Sequence, residues 1–175
     1  MSGKALFGAL KMDILVVTPF NVDAPLFSYY RTRLMGIDSV VAELDDTRVD
    51  KTKSMQEDGA AVDKVLDEYS DLTYKGDDLG WMSPAHYPQS TVKSGNKATS
   101  PRLDALSASY LEAYLKMTKD ALACDSEAKK KAVKEYTDEI LEKGGLIADQ
   151  LVKGTGKDFT RDFCNKCFLG TDIND

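Results

Sequence analysis

Apolar residues recur at helical spacing in the first quarter of the chain. From residue 30 to residue 44 they are separated by four, three, four and three positions, which places them on one face of a helix. Asp23 is a suitable N-cap for this segment, and Pro25 suits its first turn. The pattern therefore predicts a first helix from Pro25 to the end of the apolar series Tyr30, Leu34, Ile37, Val41 and Leu44.

Three further segments show the same periodicity. The second predicted helix spans residues 59–72. The third begins at Ser100 and Pro101, a capping residue followed by a first-turn proline, and ends near residue 124. The fourth, with Asp125 or Ser126 as its N-cap, spans residues 125–154, because its apolar phase persists through a central pair of glycines.

These segments predict an all-α protein, an antiparallel four-helix bundle over residues 25–154. Residues 155–175 add a short C-terminal helix and a tail. Residues 1–24 are predicted to be an extended arm, because their β-branched stretch at 13–20 has no clear strand partner elsewhere in the sequence. Between the second and third helices, residues 75–101 form a long loop rich in glycine and proline.

Composition and charge narrow the classes of function. The chain has 175 residues, of which 42% are hydrophobic, so one core can stabilise it without disulfides. A net charge of −6 opposes binding to nucleic acids, whose affinity depends on cationic side chains. Residues 38–78 concentrate this charge, with 13 acidic and 5 basic side chains. The longest apolar run, residues 14–17, is far shorter than the roughly 20 residues of a membrane span.

Few residues suit catalysis or metal binding, so the sequence predicts no enzyme, no cofactor and no metal site. Cys164 and Cys167 form a C-x-x-C pair within a helical pattern, and Cys124 is the third cysteine. A disulfide from Cys124 to either of the others and three free thiols are the two main alternatives. A zinc site completed by His86, or a redox pair, are the lesser ones.

Residues 27–34 carry a resemblance to a known family. The segment reads Phe-Ser-Tyr-Tyr-Arg-Thr-Arg-Leu and opens the first predicted helix. An aromatic group, then Arg-x-Arg-Leu, then an apolar stripe resembles the PsbQ-like extrinsic lumenal proteins of photosystem II, of the type found in diatoms and related algae. The resemblance implies a non-catalytic subunit that docks on the lumenal face of the photosystem in the thylakoid and stabilises its membrane-embedded core.

The expected function is therefore that of an accessory subunit of a large membrane protein complex. Arginines would pair with carboxylates of the partner, and aromatic groups would anchor the contact. The alternatives are a subunit of a mitochondrial respiratory or ATP-synthase complex, a thiol-based redox protein, and a soluble adaptor. The residues predicted to bind the partner are Phe20, Arg31, Arg33, Trp81, His86 and Tyr87.

Overall fold

A computed structural model describes residues 2–5, 10–74, 85–144 and 146–173. Its centre is a five-stranded antiparallel sheet in the order β1-β2-β3-β4-β5. The strands are β1 (Ser2–Ala5), β2 (Leu10–Val17), β3 (Leu26–Leu34), β4 (Ile37–Asp45) and β5 (Thr91–Gly95). The helices are α1 (Met55–Asp58), α2 (Ala60–Glu68), α3 (Ser100–Asp120), α4 (Ser126–Lys143), α5 (Leu146–Thr155) and α6 (Lys157–Phe163), and a π-helical turn (Cys164–Phe168) follows. Trp81 lies outside the described residues.

The all-α prediction is wrong, and its first helix is a β-hairpin. The strands β3 and β4 pair along their whole length and turn at Met35 and Gly36, whose φ angles are 49° and 84°. Positive φ at both central residues gives the twist that a two-residue hairpin requires, and glycine adopts it without steric cost. The aromatic and β-branched residues that indicated a helical stripe are also good strand formers, and in the structure they lie in the two strands of the hairpin.

The predicted N-terminal arm is extended, but it has a partner. Strand β2 pairs with β3 from Leu10 opposite Leu34 to Val17 opposite Phe27. The sheet therefore forms from consecutive segments, each beside its neighbour in sequence, with α1 and α2 inserted between β4 and β5.

Side chains alternate between two faces of this sheet. One face, called here the α3 face, includes Phe27, Tyr29, Val40 and Leu44 and packs on α2 and α3. There Phe27 stacks on the rings of Tyr110 and Tyr114, with centroids 5.8 and 4.9 Å away. This face holds most of the buried hydrophobic core.

The opposite face, called here the α4 face, includes Leu26, Ser28, Tyr30, Glu43 and Asp45. Leu26 packs there against residues of α4 and of the C-terminal segment, namely Val133, Tyr136, Phe168 and Leu169. The chain is thus an α/β/α sandwich of three layers.

Several local predictions are confirmed. Helix α3 begins at Ser100 beside Pro101 as predicted, although its N-cap is Thr99 and not Ser100. The Asp125 carboxylate caps α4 by accepting the Ala128 N–H at 2.8 Å. The fourth helix does not continue to residue 154, however. It ends at Lys143, and Gly144 has a φ of 88°, a conformation that glycine adopts readily and that interrupts the helix. Within the described ranges, no helix has both the length and the apolar character of a membrane span.

Candidate functional site

Three ionisable side chains meet under α4 at the end of strand β4. His86 Nε2 lies 3.1 Å from Asp45 Oδ1 and 3.6 Å from Glu43 Oε1. The side chains of His86, Glu43 and Asp45 are only 5%, 7% and 0% exposed. Buried acidic groups this close together are costly for stability, so their presence points to a function. These three residues are called the acid cluster below.

The backbone explains why the three side chains converge. Glu43 and Asp45 are two residues apart on β4, so they point to the same face. The segment before β5 then returns beside the end of β4, with a bridge between Asp45 and His86. Two hydrogen bonds hold it: the Asp46 N–H donates to the Ala85 carbonyl, and the Tyr87 N–H donates to the Leu44 carbonyl, both at 2.8 Å.

Two tyrosines border the acid cluster. Tyr136, from α4, lies near Asp45. Tyr30, from β3, lies near Glu43 on the same face, and burial together with the Glu43 charge raises its pKa. Burial, with the charges of Asp45 and Glu43, likewise raises the pKa of Tyr136. Both phenols therefore stay protonated at physiological pH and act as neutral hydrogen-bonding groups.

Burial controls the charge of the two carboxyl groups. Desolvation, and then the charge of Asp45, raises the pKa of Glu43 to about 9. Desolvation also raises the pKa of Asp45 to about 7; the nearby Tyr136 hydroxyl opposes this rise and the charge of Glu139 adds to it. Burial therefore favours the protonated form of Glu43 and moves the titration of Asp45 toward neutral pH. A carboxyl group with a pKa near the working pH is an efficient general acid.

A mainly apolar surface extends from the acid cluster along the α4 face toward the β3–β4 turn. The register aligns Ile14, Tyr30, Val41 and Val92 in one row across four strands, and all four are half-buried. The next row toward the hairpin turn, also half-buried, is Met12, Thr32, Ser39 and Ser94. These two rows, called the floor below, are a flat and mainly apolar area with the acid cluster at one end.

The structure places the predicted partner-binding residues in different surroundings. Arg31 lies on the α3 face with its side chain 5% exposed, where it binds Asp38 through two nitrogens and also contacts Asp104. Arg33 is half-exposed and pairs with Asp13 at 3.2 Å. Arg31 is therefore occupied by carboxylates of its own chain.

The aromatic residues predicted for docking also lie in different parts of the structure. Tyr87 is fully buried on the α3 face, where its hydroxyl donates to Asp58 at 2.7 Å. Phe20 is half-buried, and its carbonyl lies 3.9 Å from the Cys124 sulfur. Of the five predicted residues that the structure describes, only His86 belongs to the acid cluster.

All three cysteines are free thiols in the structure. Cys164 is buried and Cys167 is exposed, whereas Cys124 lines a separate cleft of about 530 Å³ beside the end of α3. Burial raises the pKa of both Cys124 and Cys164, which leaves these thiols protonated and poorly nucleophilic. Among the described residues, no group of three or more His, Cys, Asp or Glu is arranged to hold a metal ion.

Sequence reasoning missed Glu43, Asp45, Tyr30 and Tyr136 as site residues. Glu43 and Asp45 were counted only as part of an acidic segment, since a helical reading turns them to different sides of the element. The overlooked signal was the Met35-Gly36 turn, which precedes nine residues that can equally be a strand.

Comparison with known proteins supports this fold. No protein-family model matches the sequence, and neither does any curated protein. Among solved structures, the chain is similar to phytochromobilin synthase from tomato in complex with biliverdin, with a TM-score of 0.62 and 14% sequence identity. The match covers 99% of this chain and 74% of that chain. At this identity the likeness establishes the fold alone.

The likeness corrects the functional expectation from the sequence. An α/β/α sandwich shared with a synthase that holds biliverdin is not the helical bundle of an extrinsic photosystem subunit. The predictions of a non-catalytic accessory subunit, of no enzymatic activity and of a photosystem II role are therefore wrong.

Proposed function

We propose that this chain is an enzyme that binds a linear tetrapyrrole of the biliverdin type on the α4 face and protonates it from the acid cluster. The observation that carries the proposal is the position of the buried Glu43, Asp45 and His86 at the end of the apolar floor. The similar fold of a synthase in complex with biliverdin supports this class of ligand.

The chemistry of a bilin matches both parts of the site. Its conjugated rings form an extended apolar face, which the row from Ile14 to Val92 can cover. Its imine nitrogen and terminal lactam oxygens accept protons, and the acid cluster supplies them at the buried end. Tyr30 lies in the first row of the floor and near Glu43, so it connects the apolar surface with the acid cluster.

The proposed step is a proton transfer. The carboxyl proton of Asp45 passes to the bilin, and the carboxylate that results recovers a proton from the neighbouring groups. Protonation makes a conjugated bilin a better electron acceptor. Reduction of one of its double bonds then takes two electrons from an external one-electron reductant and two protons through the cluster.

Binding is tested by titrating the protein with biliverdin and following the bilin absorption band. Val41→Lys places a charge in the middle of the floor, whereas Val49→Lys makes the same change at an exposed valine beyond the end of β4. We expect Val41→Lys to raise Kd about tenfold or more, a loss of roughly 1.4 kcal/mol, and Val49→Lys to leave it unchanged. Circular dichroism verifies that both variants fold.

Protonation is tested on the same complex. Bilins change their long-wavelength absorption when their nitrogens are protonated, so the spectrum of the bound molecule reports its charge. Glu43→Gln and Asp45→Asn should bind biliverdin but leave it neutral at a pH where the wild-type protein protonates it. Asp67→Asn removes an exposed carboxylate of α2 and is the matched control. Bound biliverdin that is protonated to the same extent in the wild-type protein, Glu43→Gln and Asp45→Asn would refute the assignment of these acids.

A further inference from the structure

Three large apolar side chains are exposed at the turn that joins β3 to β4. Leu34, Met35 and Ile37 are 37%, 88% and 60% exposed, and the remaining residue of the turn is Gly36. Leu34 and Ile37 are the last pair of the ladder, so this group lies at the very end of the hairpin. Single exposed apolar residues are common, but a contiguous group marks a surface that contacts something outside the chain. Residues 34–37 are called the hairpin tip below.

Met35 occupies a position of the turn that other residues fit better. Its φ angle is 49°, and among the described residues it is the only one besides glycine with a positive φ. A two-residue turn of this kind favours Asn, Asp or Gly at its first position, because these residues adopt positive φ at little cost. A methionine that is 88% exposed gains no burial in the folded chain that would offset this cost. Its side chain is therefore best explained by a contact outside the chain.

Positive charge accumulates in the row next to the hairpin tip. The register places Lys4 opposite Lys11, and Lys11 opposite Arg33. Like charges directly opposite each other on neighbouring strands destabilise a sheet. Arg33 pairs with Asp13 at 3.2 Å, whereas Lys11 is exposed and pairs with no acid of the described ranges. An anionic partner would relieve this repulsion.

The charge of the sheet differs between its two ends. The acid cluster lies at the end away from the turn. The strands nearer the turn carry five basic and two acidic residues, although the whole chain has a net charge of −6. These residues are Lys4, Lys11, Arg31, Arg33 and Lys93 against Asp13 and Asp38, and Asp104 of α3 adds a carboxylate beside Arg31. The local excess of positive charge attracts an anionic partner.

The size of the hairpin tip favours a lipid surface over a protein. Its apolar side chains expose an area on the order of 300 Å², whereas each side of a stable protein interface covers about 800 Å². A lipid surface requires no matching shape. Peripheral proteins bind it by placing a few apolar side chains at the level of the headgroups and by attracting anionic lipids with lysine and arginine. The hairpin tip and the row beside it combine these two features.

We propose that the hairpin tip anchors this protein on an anionic lipid membrane. Leu34, Met35 and Ile37 enter the interfacial region of the bilayer, and Lys11 and Arg33 contact the lipid headgroups. The apolar contact and the charge act together, because either one alone gives only weak and reversible binding.

This anchoring goes beyond the proposed function and does not depend on it. Leu34 and Ile37 follow Thr32 and Ser39 on the α4 face, so the hairpin tip adjoins the floor. A docked tip therefore brings that end of the floor close to the lipid, from which an apolar ligand can reach it.

The apolar contact is tested by flotation of the full chain with phosphatidylcholine vesicles that contain about 30% phosphatidylglycerol. The double variant Met35→Asn, Ile37→Thr removes two apolar side chains and retains residues that suit a turn and a strand. We expect its partition coefficient to be lower than that of the wild-type protein by about tenfold or more. Leu122→Asn removes a side chain that is 77% exposed beside Asp23, at the opposite end of the sheet, and should change nothing.

The charge is tested on the same vesicles. Lys11→Gln should lower the partition coefficient about fivefold, the factor that corresponds to roughly 1 kcal/mol for one cation near an anionic surface. Lys64→Gln removes an exposed lysine of α2 and is the matched control. Binding of the wild-type protein should also weaken on vesicles of phosphatidylcholine alone, and in salt of about 0.5 M.

Several outcomes would overturn the anchoring. Wild-type protein that does not float with the anionic vesicles would do so, and so would equal flotation of the wild-type protein and the double variant. A wild-type dimer in sedimentation velocity that the double variant dissociates would assign the hairpin tip to self-association instead. Circular dichroism verifies folding; should the double variant not fold, equal binding of Lys11→Gln and Lys64→Gln overturns the proposal, and weaker binding of Lys11→Gln alone supports it.

Discussion

The acid cluster makes the stability of the folded chain depend on pH in an unusual direction. Folding raises the pKa of Glu43 from its ordinary value of 4.5 to about 9. Between these two values the unfolded chain has lost the proton and the folded chain retains it. The folded state then binds more protons than the unfolded state, so the free energy of unfolding falls as pH rises through this window. Asp45 acts in the same direction from 3.8 to about 7.

The size of this loss of stability follows from the change in the pKa of Glu43 on folding. Each pH unit inside the window is worth about 1.4 kcal/mol for one group, so Glu43 alone removes at most about 4 kcal/mol between pH 5 and pH 8. Glu43→Gln keeps the size of the side chain and deletes this titration. We expect the variant to match wild type near pH 5 and to be the more stable protein at pH 8, by a few kcal/mol.

The assay is urea unfolding followed by circular dichroism at several pH values, with Asp67→Asn as the control. The carboxylates in surface ion pairs, such as Asp71 with Arg102, have lowered pKa values and lose their contribution only at acidic pH. These ion pairs therefore do not change the free energy of unfolding between pH 5 and pH 8. If the stability of the wild-type protein does not change over this interval, or if it falls equally with pH in Glu43→Gln, the claim that folding raises the pKa of Glu43 is refuted.

Three further predictions concern the rest of the fold. Arg31→Met should remove the two-nitrogen partner of the buried Asp38, leave it only Ser100 and the longer contact with Arg33 at 3.6 Å, and cost about 3 kcal/mol in urea unfolding, whereas Arg33→Met should cost under about 1 kcal/mol; equal losses would contradict the assigned burial. In the native protein a thiol reagent should label Cys167 quickly and Cys164 only on unfolding, and mass spectrometry of labelled peptides would expose the reverse order. Gly36→Val should lower stability by about 1–2 kcal/mol because φ is 84° there, and an unchanged Tm would disprove that turn.

The helices could be predicted because their signals are local. The boundary at Ser100 and Pro101 and the cap at Asp125 depend on neighbours within one turn, and both are confirmed. The hairpin could not be predicted in the same way, because Tyr30, Leu34 and Val41 fit both a helical and an extended reading. Pairing of β3 with β2 and β4 decides between the readings, and that pairing is a tertiary interaction.

The error in the fold concealed the site. On a helix, Glu43 and Asp45 would diverge by about 200°, but on a strand they share a face, and only the strand places them beside His86. The sequence did single out His86, although as a contact residue. Its neighbours in the cluster come from segments more than 40 residues away, and no spacing in the sequence brings them together.

The central claim is that the buried acids protonate a bound bilin, and nuclear magnetic resonance of ¹⁵N-labelled biliverdin tests it most directly. In the complex with wild-type protein at neutral pH, we expect every pyrrole nitrogen to show coupling to a proton. In the complex with Asp45→Asn, one nitrogen should show none. A bound bilin with an unprotonated nitrogen in the wild-type protein, or identical spectra for the two proteins, would contradict the account.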